Sequence, residues 1–92
     1  MTNWTPIFEM MVKDLRAMEI YMVVANQGTH SFEADFITDY SNTNFEKNVA
    51  SYFEKWDSME LHRMVKNGSP RFHVTTKKHD VLIDITIHKA DI

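Results

Sequence analysis

Hydrophobic positions along this chain recur in the same order twice, first at helical spacing and then at strand spacing. Each half reads as an amphipathic helix followed by a β-hairpin, the first from about Thr5 to Thr38 and the second from about Thr43 to Lys89. Phe8, Met11, Val12, Leu15 and Met18 form the stripe of the first helix. Thr5 is placed to cap it, and Pro6 sits at the first helical position, where a missing N–H costs nothing. Glu9 and Lys13 form a favourable i,i+4 pair on the wet side, beside Arg16. Methionine adapts to irregular surfaces, so Met10, Met11 and Met18 suit a partner site, but core filling is the simpler reading.

The run Ile20–Ala25 is apolar on both faces, as in a central strand. Asn26, Gln27 and Gly28 fit a three-residue loop with the glycine left-handed. That register puts Ile20, Met22 and Val24 on one face with Phe32, Ala34 and Phe36, and turns Ser31, Glu33 and Asp35 outward beside Tyr21 and Val23.

In the second half, Thr43 and Glu46 match a capping box ahead of the stripe Phe45, Val49, Tyr52, Phe53 and Trp56. An aromatic stripe can stack bases, but at helical spacing it more often faces a core. Asp57 with Glu60 predicts a break and a short further helix carrying Leu61, Met64 and Val65, stopped by Asn67, Gly68 and Pro70. Phe72, Val74 and Thr76 then pair with Val81, Ile83, Ile85 and Ile87 about a turn at Lys78 and His79, which sets Val74 opposite Ile83 and His73 opposite Asp84. The expected fold class is α+β: one domain, residues 1–92, with two helix–hairpin units forming a four-stranded antiparallel sheet and helices packed on one face. The order of the hairpins stays open, as does whether they join within a monomer or across a homodimer. Val49, Phe53, Trp56, Ile83 and Ile85 are expected to be buried together.

Composition narrows the chemistry. With 92 residues and 43% hydrophobic positions, the chain supports one core. It has no cysteine, which excludes disulfides and thiolate zinc sites and suits a reducing cytosol. No signal-peptide pattern and no apolar run long enough for a bilayer is present. Gly28 and Gly68 are the only glycines, so no phosphate-cradling P-loop is possible. His73 with Asp84 resembles half a catalytic triad, but no serine or cysteine in an elbow-like setting completes it. His73 and His88 share a sheet face without the close spacing of a metal motif. No catalytic residue, metal ligand or cofactor is therefore assigned.

Charge divides the chain. Residues 1–58 hold 4 Lys/Arg and 9 Asp/Glu, a net of −5, and residues 59–92 hold 6 Lys/Arg and 4 Asp/Glu, a net of +2, giving −3 overall. Arg63, Lys66, Arg71, Lys77 and Lys78 are the candidate partner-binding residues, directed at phosphates or an acidic protein patch. The competing reading is an ordinary solvated face.

The opening stretch from Met1 to Arg16, MTNWTPIFEMMVKDLR, together with the length of 92 residues, resembles a small phage-encoded anti-CRISPR protein of the type I-F class. Such proteins share no motif, so the resemblance carries over no individual residue. It implies a stoichiometric inhibitor in the host bacterial cytoplasm that binds a CRISPR-Cas surveillance complex, made of Cas proteins and guide RNA, and blocks target DNA binding or cleavage. The runner-up is a small nucleic-acid-binding or regulatory domain that uses a basic C-terminal hairpin.

Overall fold

A tight reversal after the first helix sets the architecture. Helix α1 (Thr5–Ala17) ends in two turn residues, and strand β1 (Ile20–Gln27) starts at once. Glu19 there adopts φ 62°, a left-handed backbone that a residue with a Cβ rarely takes. The turn is held from across the fold: the Thr38 hydroxyl donates to the Glu19 carbonyl (2.8 Å), and the Asn42 amide donates to the Met18 carbonyl (3.0 Å) and to Thr38 Oγ1 (2.8 Å). The first two bonds satisfy the carbonyls of the turn, while the Met18 and Glu19 N–H groups donate back to the Leu15 and Arg16 carbonyls of the helix end.

The computed structural model describes residues 5–29, 31–56, 58–66, 68–78 and 81–91. The Asp57 break, the His79 turn and Asn67 lie outside the described residues, as does the Thr5 side chain. After β1 come β2 (Ser31–Asp39), α2 (Phe45–Phe53), β3 (Ser58–Lys66), β4 (Ser69–Lys78) and β5 (Val81–Ala90). The sheet is five-stranded and mixed, in the order β1-β2-β5-β4-β3. β2 and β5 run parallel, with Phe32 beside Ile83 and Phe36 beside Ile87, and every other neighbour is antiparallel. The chain is α+β, but the four-stranded antiparallel sheet is overturned.

The extra strand is β3. Leu61, Met64 and Val65 have helical spacing, yet Met59, Leu61, Arg63 and Val65 also alternate onto one face, and strand pairing wins. Lys66 pairs with Ser69, so β3 turns back directly into β4 as a hairpin where a helix stop was expected, with Gly68 at φ 77°. The capping box is also absent: Asn44 takes the cap position without a side-chain bond, and Glu46 is engaged elsewhere.

The first hairpin differs in three ways. β1 is a margin strand rather than a central one, because β5 enters beside β2 and claims the middle. A bulge between Met22 and Val24 turns Val24 to the face of Asp35, away from Phe36. Gly28 is not left-handed; its N–H donates to the Ser31 carbonyl at 2.9 Å. In the last hairpin, Val74 faces Ile85 and His73 faces Thr86, a shift of two residues that keeps every side chain on its expected face.

Both helices cover one face. Met11 and Leu15 from α1, and Val49 and Phe53 from α2 with Trp56 just beyond it, pack with Phe32, Phe36, Phe72, Val74, Ile83, Ile85 and Ile87. Of the three methionines weighed above, Met11 is fully buried, Met18 packs partly against the core and Met10 is exposed. Tyr52 donates to Asp14 at 2.7 Å and ties α2 to α1; burial first, and that carboxylate second, push its phenol pKa up. The core expected around Phe53 is present, with Phe53 0% exposed and Trp56 9%. Phe53→Ala should therefore cost about 3–5 kcal/mol. A loss below about 1 kcal/mol in denaturant melts would show that α2 does not anchor the core.

Candidate anion-binding groove

Strand alternation places charged residues at two core-facing positions near the sheet's end. Arg63 shares its face with Met59 and Leu61, and Lys89 follows Ile83, Ile85 and Ile87. Both positions lie where the helix layer thins out, so their charges reach water at the start of α2. A cavity of about 300 Å³ opens there between α2 and the β3–β4 hairpin. Phe45 and Phe72 lie in its lining, edge to face with ring centroids 5.9 Å apart, and the Lys89 ammonium sits 5.8 Å from the Phe45 ring centre. A shallower depression of about 720 Å³ adjoins it, sharing Thr43, Glu46, Arg63 and Phe72 and adding Lys47.

Together the two hollows present Arg63, Arg71, Lys89 and Lys47 against a single carboxylate, Glu46. That carboxylate accepts a fork from Arg63, with Nε at 3.0 and 3.1 Å and Nη2 at 2.8 Å. The bond to Glu46 holds the already basic guanidinium still more firmly protonated. Arg71 has no such partner: its Nε is buried and unbonded among the described residues, as is Nδ1 of His88, its cross-strand neighbour. A buried donor without an acceptor costs about 1–3 kcal/mol, which an incoming anion relieves. The arrangement sets four cations beside an apolar floor, a surface suited to an anion.

The sequence-predicted residues do not form one patch. Arg63 lies on the helix side of β3 and reaches the groove. Arg71 lies on the opposite face of β4 and reaches the same groove at the sheet's end. Lys77 is exposed on that opposite face beside Leu82, six residues and about 20 Å along the strand from Arg71. The backbone of Lys66 pairs with Ser69 and that of Lys78 with Val81, and their side chains lie outside the described ones. The sequence reading missed Lys47, and it counted Lys89 in the basic end of the chain without including it among the candidate contacts, although a lysine at a core-phase position was a signal for it.

His73 and Asp84 do meet, hydrogen-bonded along a diagonal of the sheet rather than directly across it. His62 faces His73, with ring centroids 6.4 Å apart. Among the described residues, no three His, Cys, Asp or Glu side chains are grouped to hold a metal. No described helix is long and apolar enough to cross a membrane. Comparison with protein-family models, with curated proteins and with solved structures found no match to this chain.

Glu46→Gln removes the one carboxylate in the groove and releases Arg63, so it should delay elution from a heparin column. Arg71→Ala should advance it. Unchanged elution of both variants would show that the groove does not receive anions.

Proposed function

We propose that this protein is a non-enzymatic inhibitor that binds a CRISPR-Cas surveillance complex in the host bacterial cytoplasm and blocks target DNA binding or cleavage. The observation that carries the reading is the groove, where cations from β3, β4, β5 and α2 surround Phe45 and Phe72. A surveillance complex offers such a site two anionic surfaces, its guide RNA and acidic protein patches. Arg63, Arg71 and Lys89 make the contact at the groove, and Lys77 makes a second one farther along β4 on the opposite sheet face. The resemblance of residues 1–16 to type I-F anti-CRISPR proteins supplies the identity of the target.

A second reading, a small nucleic-acid-binding or regulatory domain, is favoured by the exposure of Lys77 on a sheet face with no described helix over it. The two separate on one experiment. Added to a type I-F surveillance complex, the protein should stop target DNA binding or cleavage at a fixed ratio to complex, and free RNA should not compete at equal concentration. Arg63→Ala with Arg71→Ala, and separately Lys77→Ala with Lys78→Ala, should each weaken binding by about 1–3 kcal/mol and flatten its salt dependence. Glu33→Gln with Asp35→Asn serves as the control. Loss of binding in the control alone would assign the contact to the acidic β2 face. Full inhibition at substoichiometric amounts, with modified RNA or protein, would mean an enzyme.

A further inference from the structure

The two margins of the sheet are protected differently. β3 carries Glu60, His62, Arg63 and Lys66, and charges along an edge oppose pairing with another strand. β1 carries no charge along its length: no Asp, Glu, Lys or Arg lies between Ile20 and Gly28. Its Tyr21, Met22, Val23 and Val24 are 37%, 40%, 58% and 47% exposed. The bulge divides them between faces, Met22 opposite Phe36 on the helix side and Tyr21 and Val24 opposite Ile37 and Asp35 on the other. A helix laid against either face would cover only part of this set. A strand added at the edge covers both sides and satisfies the backbone groups along it.

The flank of the edge shows which strand fits. Phe8 of α1 stacks on Phe32, the cross-strand partner of Gln27, with centroids 3.7 Å apart. The Met18–Glu19 turn joins α1 to the other end of β1. Helix α1 thus runs antiparallel along β1, with Glu9 toward the Gln27 end and Arg16 toward the Ile20 end, and both line a depression with Met22. A two-fold axis perpendicular to the sheet, just outside the middle of β1, sets the Gln27 end of one copy beside the Ile20 end of another. It brings Glu9 of each copy toward Arg16 of the other. An uncharged edge with this rim complements itself.

We propose that β1 is a self-association edge, on which two copies of this chain pair antiparallel into one continuous sheet. An eight-residue strand is about 26 Å long, and with its α1 rim it buries less than the roughly 1,600 Å² of a standard interface. Lys13 also meets its own copy near the axis. The association is therefore reversible, at micromolar concentration. Sedimentation velocity from about 1 μM to 1 mM should show the wild type passing from monomer to dimer. Val24→Lys should raise the midpoint at least tenfold, whereas Val65→Lys, on the other margin, should leave it unchanged. Because the chain has no cysteine, Val23→Cys or Val24→Cys adds a single thiol. Paired strands hold opposed Cα atoms about 4.5–5.5 Å apart, within disulfide reach, so one of these variants should form a covalent dimer on mild oxidation. A wild type that stays monomeric to about 1 mM, or a dimer that Val24→Lys leaves intact, would overturn the proposal.

Discussion

The parallel ladder between β2 and β5 is the constraint on which the rest of this structure depends. It joins the first hairpin to the second, and nothing else in the sheet does so. Ile83, Ile85 and Ile87 lie between Phe32, Ala34 and Phe36 on one side and Phe72, Val74 and Thr76 on the other, beneath both helices. A parallel neighbour cannot follow by a tight turn. The chain must therefore leave β2, cross the sheet as α2 and build β3 and β4 before β5 returns to the centre. That order makes β1 and β3 the two margins and delivers the start of α2 to the end of the β3–β4 hairpin. The groove is a consequence of the crossover.

Much of this was legible in the sequence where one periodicity had no competitor. α1, β2, α2 and the β4–β5 pair follow from spacing alone, because Phe32 to Phe36 and Val81 to Ile87 alternate strictly and the Phe45, Val49, Phe53 stripe has a single helical reading. β3 was obscured because Leu61, Met64 and Val65 fit helical spacing while Met59, Leu61 and Val65 fit strand alternation. The Asn67–Gly68 dipeptide, a strong hairpin signal between apolar runs, outweighs Pro70 as a helix stop. The margin position of β1 was not legible, because an apolar run is the same string in the middle of a sheet or at a self-complementary edge. The parallel join depends on contacts between residues roughly fifty positions apart, which no local pattern encodes.

The candidate site was half visible for a similar reason. Net charge located the basic half of the chain, but it could not say which cations share a surface. Alternation sends Arg63 and Arg71 to opposite faces of adjoining strands, and they converge only because both lie near the turn end of the hairpin. Lys89 and Lys47 join them from elements far apart in sequence. Glu46 was assigned to a helix cap and instead holds Arg63, since a fork of two charge-assisted bonds is stronger than one bond to a backbone N–H.

The central claim is that the groove at the start of α2 is the face this protein turns to an anionic partner. Hydrogen exchange of the protein alone and bound to a type I-F surveillance complex tests it most directly. The account predicts slowed exchange across residues 61–72 and 43–50 on binding. Slowing confined to β2 and the acidic face around Glu33 and Asp35, with the β3–β4 hairpin unchanged, would contradict it.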